Sequence, residues 1–196
     1  MRVKRQGGLT LIELMVALAI GLVLLLAATE LLVQLTGQQG RDRRAAALRA
    51  MGDAAMSTMA MDLRRAGYAG GGNAADFGQI RIGDDGHCVL FAYAAPPGEA
   101  DDGRLWRGFR LKTENGTGRV QSLAVPRDSW RCDAPAADWQ DLTLPSAGSV
   151  DALTFHRVGE RGVDIRLLIR ADGLPAAQFE ATVSPRNRPA ITEESR

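Results

Sequence analysis

The stretch Lys4-Arg5-Gln6-Gly7-Gly8-Leu9-Thr10-Leu11-Ile12-Glu13-Leu14-Met15-Val16-Ala17-Leu18 opens basic, passes through two glycines and turns apolar. From Leu14 to Ala28 there is no polar side chain. Extending back to Leu9 adds only Thr10 and Glu13, and extending forward to Val33 adds only Thr29 and Glu30. About 20 helical residues, each rising about 1.5 Å, cross a bilayer core of about 30 Å. Residues 9–33 are therefore long enough for a membrane helix. Arg2, Lys4 and Arg5 precede this stretch and no basic residue follows it closely, which places the N-terminus on the cytoplasmic side.

Glu13 needs an explanation of its own. A carboxylate inside a bilayer costs on the order of 3 kcal/mol, and its default reading is a functional group with a partner. No Lys or Arg lies within one helical turn after it, and Arg5 is too far upstream. A cut between Gly8 and Leu9 would create an α-amino group four residues before Glu13, roughly 6 Å along a helix. A neighbouring copy staggered by one turn would set its amine against this carboxylate. Two other readings compete. A cleaved secretory signal finds an A-x-A site in Ala17-Leu18-Ala19, but it leaves Ile20–Ala28 on the mature protein. A plain signal anchor explains the hydropathy but not Glu13.

Residues 4–28 resemble the class III leader of type IV prepilins and pseudopilins. That family joins a short basic leader ending in Gly to an apolar helix with Glu at its fifth residue. The resemblance implies cleavage by prepilin peptidase at Gly8–Leu9, N-methylation of Leu9, and an intermolecular salt bridge from Glu13. It implies a leader at 1–8, a transmembrane helix at 9–33, and a body in the periplasm. There are two departures. Leu9 stands where Phe is commonest. Glu30 stands where major pilins typically carry Pro, so the chain looks like a minor subunit.

Beyond the apolar run, Leu48, Met51, Ala55, Met59 and Leu63 recur at three- and four-residue steps, with Arg43, Arg44, Arg49, Asp53 and Arg64 largely off that stripe. Residues 34–66 are expected to continue the helix in amphipathic form, loosened at Gly37 and Gly40. Met51, Met56, Met59 and Met61 read as core filler rather than a metal or partner box. Gly67 to Asn73 ends the helix. It lacks the preceding strand and the Lys of a phosphate loop. Met61-Asp62-Leu63-Arg64-Arg65-Ala66-Gly67-Tyr68 resembles a segment of PilW-type minor pilins, and Ser184-Pro185-Arg186-Asn187-Arg188 resembles their R-N-R ending.

The signals of the body, residues 67–196, are β. Gln79–Ile82 and Cys88–Tyr93 flank an Asp-Gly turn, and Arg107–Thr113 and Gly118–Leu123 flank Asn115-Gly116. Val150–Arg157, Val163–Arg170 and Gln178–Val183 follow, with long loops at 94–105 and 126–147. The expected fold is α+β: a long N-terminal helix packed on an antiparallel, pilin-like sheet. Cys88 and Cys132 are the only cysteines. In an oxidising compartment two cysteines more often pair than not, and a loop of about 45 residues closed this way is worth roughly 4 kcal/mol. The alternative is a buried free thiol.

Composition limits the function classes. The chain has 196 residues with 24 Lys+Arg and 23 Asp+Glu, net +1. Setting aside Arg2, Lys4 and Arg5 leaves 21 basic against 23 acidic residues, so no nucleic acid is expected as a partner. No nucleophile, zinc or cofactor motif occurs. His87 and His156 read as packed or surface residues, and Asp84-Asp85 and Asp101-Asp102 as turns rather than a calcium site. Trp106, Trp130 and Trp139, beside Arg107, Arg127 and Arg131, read as core first and as a partner surface second. The resemblance thus implies a minor pilin, not an enzyme, priming type IV pilus assembly at the tip. Its partners would be prepilin peptidase, other minor pilins, the major pilin, a tip adhesin and inner-membrane lipid. The alternatives are a J-type minor pseudopilin of type II secretion and a membrane-anchored binding protein or adhesin outside any filament.

Overall fold

The computed structural model describes residues 10–70, 79–83, 85–96, 98, 103–125, 130–187 and 189–193. Gly8 and Leu9, with the rest of the leader, lie outside the described residues, as do Asp84, Asp101, Asp102, Arg127 and Arg188. One helix, α1, spans Leu11–Arg65, and Gly37 and Gly40 sit within it without interrupting it. The chain divides into two units, Met1–Arg43 and Arg44–Arg196.

In the second unit the expected stripe is buried. Leu48, Ala55, Met59 and Leu63 are almost fully covered, with Met51 half-buried beside them. Met56 and Ala60 widen the buried face, and Met61 stays exposed. This face packs into one apolar core with residues of two sheets. The first sheet is built from β1 (Ile80–Ile82), β2 (Cys88–Ala94), β3 (Arg104–Glu114), β4 (Thr117–Val125), β5 (Trp139–Asp141) and β9 (Ile191–Glu193), in the order β5-β4-β3-β2-β1-β9. The second holds β6 (Ser149–Val158), β7 (Gly162–Arg170) and β8 (Ala177–Val183), in that order. Every pairing is antiparallel except β1 with β9, which is parallel.

The expected meander therefore resolves into two sheets. β4 passes to β6 through the short β5 and a buried crossing, where the Thr143 hydroxyl accepts from the Val120 N–H at 3.0 Å. Asn115 (φ 51°) and Gly116 (φ 76°) form the two-residue turn between β3 and β4, both in the left-handed region a tight hairpin requires. Gly118 marks a close approach of β4 to β6. A side chain there would run into the backbone carbonyl of Val150, while the Gly118 N–H donates to Ser149 Oγ at 3.0 Å.

The first sheet is buried on both faces, which explains the unbroken apolar run of β2. Val89, Phe91 and Tyr93 face the helix core. Cys88, Leu90 and Ala92 face a second core with Trp106, Leu123, Trp130 and Trp139. The lid on that second core is the segment 130–139. Cys132 is disulfide-bonded to Cys88 across a separation of 44 residues. Trp130 Nε1–H donates to the Arg107 carbonyl at 2.8 Å. Arg110 donates to the Cys132 carbonyl at 2.9 Å and lies 4.0 Å from the Trp139 ring centroid. Burial lowers the Arg110 pKa, with Glu114 opposing, and the guanidinium stays charged at any ordinary pH. Beside it, a hydrogen bond from Gln121 holds the Asp141 carboxyl below its usual range, aided by Arg119. All three tryptophans are thus core residues, and the partner-surface reading for them does not stand.

Gly118→Ala tests the contact between the sheets. The added methyl would push chiefly against the Val150 backbone, which cannot swing aside as a side chain can, so the expected loss is about 1–3 kcal/mol. It is to be read as a lower unfolding midpoint of the detergent-solubilised chain.

Candidate assembly site

The first unit carries the candidate site. The Thr10 carbonyl accepts the N–H groups of Glu13 at 3.1 Å and Leu14 at 3.2 Å, so Thr10 stands at the N-cap of α1. Thr10 and Glu13 have the T-x-x-E spacing of a capping box. An acid in the first turn also meets the positive end of the helix dipole. Local structure therefore favours a carboxylate at this position. The T-x-x-E spacing is the signal in the sequence from which this cap is legible.

From Leu11 to Val33 the large apolar side chains are exposed, among them Leu11, Ile12, Met15, Val23, Leu26 and Val33. The helix is apolar on every side and long enough to cross a membrane. A helix with no polar face is suited to lipid or to the interior of a larger assembly. The one hydroxyl near the far end is satisfied internally, with Thr29 Oγ1 donating to the Leu26 carbonyl at 2.8 Å. Glu13 and Glu30 are both exposed.

At the other end of α1, two sequence segments more than a hundred residues apart come together. Gly67 adopts φ +74° and its N–H donates to the Ala92 carbonyl at 2.8 Å. The last turn of the helix leaves carbonyl groups without helical partners. The Arg186 N–H donates to the Arg64 carbonyl at 3.3 Å, and Asn187 Nδ2 reaches the carbonyls of Arg65 and Ala66 at 3.4 Å each. Pro189 packs 3.2 Å from where a Gly67 Cβ would sit. The chain tail is the C-cap of the helix.

The histidines have structural surroundings. His87 Nδ1 donates to the Leu153 carbonyl at 2.7 Å, tying the β1–β2 turn to β6, and His156 is exposed. Among the described residues no three His, Cys, Asp or Glu side chains gather where a metal could bind.

An apolar helix with an acidic first turn, continuing into a helix packed on antiparallel sheet, is a type IV pilin-like architecture. Such proteins are structural rather than catalytic. A family profile described as prepilin peptidase-dependent protein B matches residues 41–187, and one described as the prokaryotic N-terminal methylation motif matches residues 3–29. The chain belongs to the prepilin peptidase-dependent protein B family. Among solved structures, a type IV-like pilin from Thermus thermophilus is similar at 12% identity, with 72% of this chain and 98% of that chain covered and a TM-score of 0.44. That likeness is too distant to carry function. No curated protein matches the chain.

Because the continuous run of exposed large apolar side chains, Leu11 to Val33, lies within the first unit, removal of residues 1–43 is expected to release the body from membranes. The truncated chain should partition into the aqueous phase on detergent phase separation, and the full chain into the detergent phase.

Proposed function

We propose that this chain is a minor pilin of the PilW type. The observation that carries the reading is the contact between the Leu63–Tyr68 segment and Arg186-Asn187. These are the two segments beyond the leader in which the chain resembles PilW-type proteins, and they act as one structural unit. The match to the N-terminal methylation motif supports the same reading at the head.

In this reading prepilin peptidase cuts between Gly8 and Leu9, and Leu9 is then N-methylated. The new amine at Leu9 pairs with Glu13 of a staggered neighbour. Residues 9–33 first hold the chain in the inner membrane, with the body, residues 67–196, in the periplasm. The amphipathic stretch 34–66 links them. Extraction into a filament exchanges lipid for the apolar helices of other subunits, which keeps the apolar surface away from water. An unpaired Glu13 carries the full burial cost of a charge, whereas pairing offsets part of it, so the pair favours assembly over isolation. The chain joins other minor pilins to prime the pilus at its tip, with the major pilin below it and a tip adhesin as a further partner. Proteolysis is done to this chain and not by it.

Glu13→Ala is expected to leave cleavage at Gly8 largely intact while recovery of the minor-pilin complex by affinity capture falls at least tenfold. Normal recovery would refute the role given to Glu13. A deletion strain should lose twitching and keep protein secretion. The reverse phenotype would make the chain a J-type pseudopilin.

A further inference from the structure

Beside the capped end of α1 lies an open groove of about 730 Å³, within the usual size range of ligand sites. Arg64 and Arg65 come from the helix, Arg107 from β3, and Arg186 from the tail. Among the described residues the one carboxylate paired with any of them is Asp62, 4.0 Å from Arg65 and 3.4 Å from the Tyr93 hydroxyl. The C-terminal end of a helix carries about half a negative charge, enough to account for one of these cations and not for four. Arg107 Nε is moreover buried without a hydrogen-bond partner. Between the guanidinium groups the wall is apolar, formed by Met61, Leu105 and Pro96, with Tyr68 53% exposed at the mouth.

We propose that this groove binds a short acidic segment of a partner protein, its carboxylates on Arg64, Arg107 and Arg186 and an apolar side chain against Tyr68 and Leu105. Arg and Tyr together are the residues most enriched at protein hot spots, and the guanidinium fork matches a carboxylate in two hydrogen bonds. The apolar wall distinguishes this site from one for bare phosphate, which would leave that wall unused. Nucleic acid would need successive exposed aromatic faces for stacking. Here Tyr93 is buried, leaving Tyr68 as the one exposed ring among the described residues that line the groove. The walls of the groove are also tied together by backbone hydrogen bonds, Gly67 N–H to the Ala92 carbonyl at 2.8 Å and Ala94 N–H to the Tyr68 carbonyl at 2.7 Å, and Arg186 is anchored through its own backbone. Such preorganisation lowers the entropy cost of binding. The proposal concerns the body alone and does not depend on the minor-pilin reading.

The test is fluorescence anisotropy with the full chain in a neutral detergent. The probes are a panel of labelled octapeptides, each with Glu and Asp flanking a single Phe or Leu at varied positions. Peptides of the panel should bind saturably, and the Arg64→Glu/Arg186→Glu variant should lose at least tenfold in affinity. Tyr68→Ser, at an exposed site, should lose severalfold without change in the unfolding midpoint. Arg157→Glu, outside the groove, should bind as the parent does. Absence of saturable binding across the panel would overturn the proposal. So would unchanged binding in the double variant, or tighter binding of oligothymidylate or inorganic phosphate than of every peptide.

Discussion

Burial of one helical stripe organises the body. Leu48, Ala55, Met59 and Leu63 enter a single core that also takes in Phe91 and Phe109 from one sheet and Phe155, Ile165 and Leu167 from the other. Each large side chain buried there is worth roughly 1.5–3 kcal/mol relative to exposure. The two sheets share that core and approach each other elsewhere at the glycine-lined crossing of β4 and β6. Gly52 shows how closely the helix is seated, since a side chain there would collide with the ring of Phe179. The apolar periodicity of residues 48–63 is thus the constraint on which both sheets depend.

A second constraint acts on the far face of the larger sheet. Trp130, Cys132 and Trp139 there belong to a segment with little regular structure, residues 130–139, which packs against Trp106 of β3 and is held up to residue 138 by side-chain bonds and the disulfide rather than by strand pairing. Closure of the Cys88–Cys132 loop is worth about 4 kcal/mol in the chain-entropy account. Arg110 adds hydrogen bonds and stacking that fix where the segment lies. An oxidising compartment suits such a body.

The sequence made some of this plain and hid the rest for physical reasons. The long apolar helix, its buried stripe, the six longer strands and the short β1 announce themselves through periodicity and turn residues, because local pattern determines them. β5 and β9 do not, since three residues show no period and, unlike β1 with its Asp-Gly turn to β2, neither is joined to its paired strand by a tight turn, β9 lying parallel to β1. Arg110 looks like any strand arginine until the Trp139 ring and the Cys132 carbonyl are brought to it. Asn187 lies in a segment singled out by resemblance, yet its action as a helix cap emerges only when residue 187 meets residues 65 and 66. The pairing of Cys88 with Cys132 follows from there being two cysteines. The groove of arginines could not be read at all, because its members come from three separate parts of the chain.

The two units answer different demands. The body folds around its own core and presents surfaces, while the apolar helix has no stable place in water and gives the chain its membrane or filament address. The leader links them to processing, and Glu13, the fifth residue beyond the proposed cut, is the chemical reason that processing would matter. The most direct measurement is the mass of the intact N-terminal segment of the membrane-extracted chain, with and without prepilin peptidase. A chain beginning at methylated Leu9 only when the peptidase is present is the predicted result. A chain beginning at Met1 in both cases, or at Ile20, would contradict the account.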